Sequence, residues 1–236
     1  MSKILLLGSH HGDELLGDKL IRYIKAHRPE LIKHVEFKIA NLKAHSKNVR
    51  YIESDMNRSY NGKKDTYEER RAGKILEYIK ESSFDLVLDL HTTSCDQPPS
   101  LIMASINPDN KRFIDASTIR HLVIMEPKTV STALNGVCPN SVAVEINRHI
   151  TDVTLENLCN DIQRYIDGKK TYADKYIYEV DLLKNDEVTV SQFEKLRNFE
   201  YSDPGFYPIL VGESSYQKQG YDYLGFKATE RKKYKV

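Results

Sequence analysis

The stretch I-L-L-L-G-S-H-H-G-D-E, residues 4–14, joins an unbroken apolar run to a cluster of polar side chains. Residues 4–7 are all aliphatic and end at Gly8, a pattern typical of a buried parallel strand. A helix is predicted directly afterwards, over residues 14–27, because leucine and isoleucine recur there at helical spacing. The stretch therefore predicts a strand, a polar loop and a helix in succession, which is the repeating unit of an α/β fold.

The same alternation continues through the first two thirds of the chain. Strands are predicted at residues 35–41, 84–90, 101–104, 121–125 and 141–146, and helices at residues 68–80 and 152–167. Strands that alternate with helices indicate an α/β fold with a mostly parallel sheet. In such sheets the functional side chains collect at the carboxyl ends of the strands.

The pattern changes after about residue 170. Short alternating pieces at residues 175–180, 187–190 and 207–211 are separated by turn residues such as Asp203-Pro204-Gly205. We therefore expect two domains, a larger one over residues 1–168 and a small β-rich one over residues 169–236.

Composition excludes several classes of protein. The chain has 236 residues, of which 40% are hydrophobic and 29% charged, and its net charge is +1. This balance argues against a protein that binds nucleic acid or a membrane surface. No apolar run approaches the length of about 20 residues that a membrane helix needs, and residues 4–7 are too few for a signal peptide. The three cysteines are sparse and unpaired in sequence, which favours reduced thiols, so we expect a cytoplasmic protein.

Two of the polar motifs together predict a zinc site. His11 and Glu14 stand in an H-x-x-E relation at the start of the predicted helix, where a spacing of three residues lets both side chains reach one point. His91 follows the apolar run of a predicted strand, so it points to the same edge of the sheet. Two histidines and a glutamate with an open position form a catalytic zinc set. Asp89 shares a face with His91 and could orient its ring, while His10, four residues from Glu14, remains the alternative ligand.

These residues resemble a known family, the aspartoacylase and succinylglutamate desuccinylase group of zinc carboxypeptidase-like amidohydrolases. The similarity runs in the family's order from the first strand to the last predicted strands. Its motifs G-T-H-G-N-E, R-Y-I-x-x-D-L-N-R, D-L-H-x-T-T-S, V-E, Y-P-V and E-A-A-Y are similar to residues 8–14, 50–58, 89–94, 144–145, 207–209 and 213–216.

The resemblance implies a fold, a cofactor and roles for eight residues. It implies a carboxypeptidase-like sheet with helices on both faces and a C-terminal domain that caps the site. It implies one zinc ion per chain, held by His11, Glu14 and His91. It also implies that Glu145 is the general base, that Arg50 stabilises the oxyanion, and that the substrate carboxylate is bound by Asn57, Arg58 and Tyr216. The expected substrate is a small N-acyl amino acid such as N-acetylaspartate.

The sequence departs from the family at the substrate side-chain site. Family members that act on acidic substrates carry an arginine about ten residues before the general base, but residues 131–140 contain no basic residue. Arg148, Lys128 and Arg120 are the candidates to replace it. Asp13 also stands where the family has asparagine. The expected function is therefore a zinc-dependent deacylase that lacks the family's usual cation for an acidic side chain. A zinc peptidase, a desuccinylase and a non-catalytic small-molecule-binding protein are the alternatives.

Overall fold

The fold is a mixed sheet flanked by helices, seen in a computed structural model that describes residues 2–60, 62 and 64–235. The strands are β1 (Ile4–Gly8), β2 (Val35–Ile39), β3 (Leu86–Thr93), β4 (Ser100–Met103), β5 (His121–Met125), β6 (Ser141–Asn147), β7 (Lys175–Lys184), β8 (Tyr207–Ile209), β9 (Tyr223–Ala228) and β10 (Lys232–Tyr234). The helices are α1 (Leu16–His27), α2 (Leu42–Lys47), α3 (Tyr67–Ser82), α4 (Pro108–Ala116), α5 (Pro127–Val130), α6 (Leu134–Val137), α7 (Asp152–Asp167), α8 (Val190–Phe193) and α9 (Ser214–Lys218), with 3-10 turns at Pro29–Leu31 and Met56–Arg58.

The strands are ordered β2-β1-β3-β6-β4-β5-β7-β9-β8, and β10 pairs with β7. The neighbours β2, β1, β3 and β6 are parallel, so their carboxyl ends meet at one edge. Strand β4 runs antiparallel to β6, while β5 and β7 continue parallel to β4. The expectation of a mostly parallel α/β sheet is confirmed.

Helices cover both faces of the sheet. The side chains of β1 alternate between the two faces: Ile4 and Leu6 pack in one core with α1 and α7, whereas Leu5 and Leu7 pack in another with α3. This arrangement explains the continuous apolar run in β1, because a strand that is buried on both faces has no solvent side for polar residues.

The C-terminal region is built onto the main sheet through β7. The first half of β7 pairs in parallel with β5, and its second half pairs with β9, which also pairs with β8. The division between residues 168 and 169 remains a prediction; α7 ends at Asp167 and β7 begins at Lys175.

Two further sequence expectations concern bilayer crossing and thiols. Within the described residues, no helix has the length and apolar character needed to cross a bilayer. Cys95, Cys138 and Cys159 are all free and buried, as expected for unpaired thiols.

One predicted strand does not form, and the first helix begins later than predicted. Residues 187–190 do not form a strand: they turn into α8, whose N-cap Thr189 and third helical residue Gln192 form a capping box. The first helix begins at Leu16 and not at residue 14. Glu14 instead lies in a turn, where its N–H donates to the carbonyl of His11 at 3.0 Å.

Candidate metal centre and active site

The loop after β1 brings His11 and Glu14 together through this turn. Gly12, between them, packs directly on α2: a Cβ at that position would lie 2.1 Å from the carbonyl carbon of Ala44. The N–H of Gly12 also donates to the carbonyl of Arg50 at 3.1 Å. The loop is therefore fixed by close backbone packing, which only glycine permits here.

Three buried side chains converge at the edge of the sheet. Both histidines approach one carboxylate: His11 Nδ1 lies 2.6 Å from Glu14 Oε1, and His91 Nδ1 lies 3.0 Å from Glu14 Oε2. The three residues offer one ligand atom each, and these atoms lie within 4.8 Å of one another. Strand β3 extends to Thr93, so His91 lies within the strand and not beyond its end. Two imidazoles and a carboxylate in a buried cluster fit a zinc ion, since that donor set leaves one position open.

His10 belongs to a second layer behind these residues. Asp89 bridges the two, because its Oδ2 lies 2.9 Å from His91 Nε2 and its Oδ1 lies 2.6 Å from His10 Nδ1. The other ring nitrogen of His10 contacts the hydroxyl of Tyr60. His10, Asp89 and His91 form another possible ligand group, but the contacts of His10 with Asp89 and Tyr60 favour His11 as the partner of Glu14. Asp89 occupies the place from which it can orient the His91 ring.

The carboxylates and the protonated imidazoles of the cluster stabilise one another's charges. Burial opposes ionisation of Glu14, but the neighbouring His11 and His91 hold the pKa of its carboxyl well below the ordinary value. Burial likewise opposes protonation of His91, but the Asp89 and Glu14 carboxylates raise its pKa well above the ordinary value. Protons on the imidazoles thus balance the buried carboxylates, and a bound cation would displace them.

Glu145 lies beside this cluster on the neighbouring strand. It is in register with His91, since β3 and β6 pair at these two residues. Burial raises the pKa of the Glu145 carboxyl above its ordinary value, and the negative charges of Glu14 and Glu213 raise it further, against the lowering effect of His91. A buried carboxylate whose proton affinity is raised in this way is suited to accept and return a proton.

Arg50 is held against the cluster by two carboxylates. Its Nη1 lies 3.5 Å from Glu14 Oε1, and its Nη2 lies 3.5 Å from Asp55 Oδ2. Asp55 Oδ1 also lies 3.2 Å from His11 Nε2. Asp55 therefore links the guanidinium to the histidine and fixes both.

All eight residues singled out from the sequence line one cavity of about 90 Å³. The backbone of the preceding residue holds Arg58, because its Nη1 donates to the carbonyl of Asn57 at 2.8 Å. Asn57 Oδ1 accepts the N–H of Leu134 at 3.4 Å, and Tyr216 reaches the cavity from α9 in the C-terminal region. The fold brings together the following set: His11, Glu14, Arg50, Asn57, Arg58, His91, Glu145 and Tyr216. Their roles remain predictions.

The rest of the cavity wall is largely apolar. Seven aliphatic, aromatic or methionine side chains contribute to it: Ile102, Met125, Val130, Ala133, Ala143, Leu210 and Phe226. Among the described residues, Arg50 and Arg58 are the basic side chains that line it. None of the three candidates for a replacement cation does so. Arg148 instead lies 3.5 Å from Asp13 in a neighbouring outer pocket, and Arg120 lines a different pocket.

Among the polar residues of the cavity that sequence reasoning did not predict, Glu213 and Asn135 matter most here. Glu213 is the N-cap of α9, and its carboxylate accepts hydrogen bonds from Thr93 Oγ1 at 2.7 Å and from the Ser94 N–H at 2.6 Å. Its place in the quoted motif of residues 213–216 was a usable signal. Asn135 lies in the segment already noted for lacking a basic residue, where a neutral amide gave no signal of its own.

The fold and the buried histidine–glutamate cluster at the sheet edge define a carboxypeptidase-like α/β protein. Residues 1–163 match the succinylglutamate desuccinylase/aspartoacylase catalytic domain. That match covers well over half of the sequence, so the chain belongs to this family of amidohydrolases.

Curated relatives carry two kinds of name. A probable aspartoacylase of Trichodesmium erythraeum is 27% identical over 164 residues, which are 62% of this chain and 56% of that relative. An N-acyl-aromatic-L-amino acid amidohydrolase (carboxylate-forming) of Xenopus tropicalis is 22% identical over 256 residues, covering 92% of this chain and 82% of that relative. The chain therefore matches little more than half the length of the Trichodesmium protein and most of the Xenopus one.

Solved structures share the fold over nearly the whole chain. Murine aminoacylase 3 superposes with a TM-score of 0.70 at 19% identity, covering 99% of this chain and 96% of that one. Succinylglutamate desuccinylase from Chromobacterium violaceum gives a TM-score of 0.70 at 14% identity, covering 100% and 85%. At these identities the likeness concerns the fold alone.

Proposed function

We propose that this chain is a zinc-dependent amidohydrolase that cleaves the amide bond of a small N-acyl amino acid. The observation that carries the proposal is the buried cluster of His11, Glu14 and His91 beside the buried carboxyl of Glu145, in one cavity. The names of the relatives support the same reaction class. The three free thiols fit a reducing compartment, and we propose the cytoplasm as its location.

His11, Glu14 and His91 are the residues that would hold the metal. When bound, zinc would act as a Lewis acid toward the scissile carbonyl and lower the pKa of water. Glu145 takes the proton from the attacking water and returns it to the leaving amine, as its raised pKa allows. Arg50 donates to the oxygen on which negative charge develops, and Glu14 and Asp55 hold its guanidinium in place.

The α-carboxylate of the substrate binds to Arg58 and Asn57. Arg58 is planar and forked, a shape that matches the two oxygens of a carboxylate. Tyr216 encloses this end of the substrate from the C-terminal region. No third basic residue among those described lines the cavity, so an acidic substrate side chain has no cationic partner there. We therefore propose substrates whose side chain is neutral.

A hydrolysis panel tests the proposal. N-acetyl derivatives of neutral amino acids should be cleaved by the zinc-loaded protein at least as well as N-acetylaspartate, and converting the α-carboxylate to an amide should raise KM for each of them. A preference for N-acetylaspartate of roughly a hundredfold, about 3 kcal/mol, would mean that a cation outside the cavity lining reaches the side chain. No hydrolysis of any member would reject the proposed reaction.

The size of the cavity and a metal analysis bear on two of the alternatives. The cavity volume of about 90 Å³ favours a single small substrate over the extended peptide of a peptidase. A protein that only binds small molecules would purify without a stoichiometric metal, so metal analysis distinguishes it from the enzyme.

A further inference from the structure

Asn135 is a residue of the candidate active-site wall that carries an unpaired polar atom. The residue belongs to α6 and lines the cavity. Its side-chain oxygen Oδ1 is shielded from solvent and has no hydrogen-bond partner among the residues that the structure describes. Buried polar atoms are paired in the great majority of cases, and an exception calls for a partner that the protein itself does not supply. A ligand with an N–H or O–H group would be such a partner.

The position of Asn135 in the cavity is close to where the substrate's side chain is expected. The residue before it, Leu134, donates its N–H to the side-chain oxygen of Asn57 at 3.4 Å. In the proposed function, Asn57 and Arg58 bind the α-carboxylate. The side chain of an amino acid is attached to the same carbon atom that carries this carboxylate. Asn135 directly follows the residue that contacts Asn57, so it is placed to meet the substrate's side chain.

The charges of the cavity indicate what kind of side chain fits. Glu145 and Glu213 both line the cavity, and each disfavours a second anion. Asn135 itself is neutral, and its unpaired Oδ1 is an acceptor, so it calls for a donor. The remaining wall is mostly apolar, with hydroxyl groups from Thr92, Thr93 and Ser215, and the volume of about 90 Å³ limits the side chain to a short one.

We propose that Asn135 determines specificity by accepting a hydrogen bond from a short carboxamide side chain, so that the enzyme prefers an N-acyl-asparagine or N-acyl-glutamine. This inference rests on the proposed function, which it narrows from neutral side chains to one chemical class. A carboxamide supplies the N–H that Oδ1 lacks, and its own oxygen can accept from the amide nitrogen of Asn135. A purely apolar side chain of the same shape would leave Oδ1 unpaired, and sites that are built around a hydrogen bond reject such analogues.

Three N-acetyl amino acids of nearly equal shape test the proposal: the asparagine, leucine and aspartate derivatives. They differ in hydrogen bonding and charge but hardly in size. The metal-loaded wild-type protein should show a kcat/KM for N-acetylasparagine at least about tenfold above that for N-acetylleucine. In Asn135→Leu this ratio should fall to about one or below. Asn157→Leu, which alters an exposed asparagine on α7 outside the cavity, is the matched control and should keep the wild-type ratio.

Binding measured without turnover keeps this test separate from that of the reaction. Dissociation constants of the three compounds for the Glu145→Gln variant, measured by calorimetry, should show the same preference for asparagine over leucine, and Asn135→Leu in that background should remove it. Equal affinities for the asparagine and leucine compounds, or an unchanged ratio in Asn135→Leu, would overturn the role of Asn135. Selective binding without hydrolysis by the wild-type protein would support Asn135 and count against the proposed reaction.

Discussion

Glu145 has surroundings that suit proton transfer more than metal binding. It lies on β6, next to the strand that carries His91, and it is not a member of either possible ligand group among the described residues. Burial raises its pKa, whereas the pKa of Glu14 is held well below the ordinary value by two imidazoles. The pKa values of these two glutamates in one cavity are thus shifted in opposite directions. Such a difference separates an acid–base group from a metal ligand.

The substitution Glu145→Gln tests this separation. It removes the charge while preserving the shape, so zinc content should be unchanged and turnover should fall by roughly two to four orders of magnitude. Metal analysis and kcat on the same preparation are the two measurements. Unchanged turnover would rule out the proton-transfer role, and loss of zinc would make Glu145 a ligand.

At this scale the sequence predicted residues that belong to a recognisable pattern better than residues whose importance depends on the fold. His11, Glu14 and His91 were recognisable because their residue types and their spacing match a catalytic zinc set. Glu213 was not singled out although it lies in the quoted motif of residues 213–216. Asn135 was not singled out because its importance depends on surroundings that only the fold creates. The unpaired oxygen of Asn135 is a property of its surroundings and leaves no trace in the sequence.

Among the elements, the loop between β1 and α1 is the one whose geometry controls the site. Its two candidate ligands are fixed by the turn from His11 to Glu14 and by the contact of Gly12 with α2. The H-x-x-E spacing predicted the approach of the two side chains correctly but attributed it to a helix. A turn produces the same approach over three residues, so spacing alone could not distinguish the two.

Replacing Gly12 with alanine should displace this loop. The added Cβ would lie 2.1 Å from the backbone of Ala44, too close for any real contact. We expect Gly12→Ala to lower both the melting temperature and the affinity for zinc. The matched control is Gly73→Ala within α3, where a Cβ would meet only the side chain of Lys64 at an ordinary 3.5 Å and alanine favours the helix. Wild-type zinc affinity in Gly12→Ala would show that the contact does not position the ligands.

The error at residues 187–190 has a plain physical cause. Alternation over four residues is weak evidence for a strand, and the sequence T-V-S-Q beginning at Thr189 is a capping box that starts a helix. By contrast, β5 and α7 were predicted with their exact limits, because each has a long or strongly apolar pattern and clear boundaries.

For the whole molecule, the sequence predicted the class of the sheet but not its order. Two features of the order depend on contacts between distant segments. Strand β4 pairs antiparallel with β6, and β7 pairs with both β5 and β9. No local pattern encodes such pairings, whereas periodicity does encode which residues are buried.

Lys175 shows how the assembled fold affects stability. Its side chain is fully buried at the start of β7, its Nζ has no hydrogen-bond partner among the described residues, and burial lowers its pKa to about 8. The charged groups that act on it are Asp115, Asp161, Arg164 and Lys111. Both acidic groups have other partners, since Asp115 binds Lys111 and Tyr234, and Asp161 binds Ser117 and Thr118. The buried lysine is therefore a net cost when it is protonated.

Lys175→Met should accordingly stabilise the protein at neutral pH. The native pKa is about 8 and the ordinary value is 10.5, so between these pH values the unfolded chain binds more protons and stability rises with pH. We expect the variant to raise the free energy of unfolding near pH 7 by roughly 1–2 kcal/mol and to flatten the rise above pH 8. Urea unfolding at several pH values measures both effects, with Lys25→Met on the exposed side of α1 as the control. A loss of stability near pH 7 would mean that the ammonium is well paired.

The metal content of wild-type protein and of His91→Ala, determined by elemental analysis after dialysis against zinc-free buffer, tests the central claim most directly. His91 supplies one of the three candidate ligands from the middle of the sheet, and its removal leaves His11 and Glu14 without the third. The account predicts about one zinc ion per wild-type chain and almost none in the folded His91→Ala variant. A wild-type protein that retains no transition metal, or a His91→Ala variant that keeps full occupancy, would contradict it.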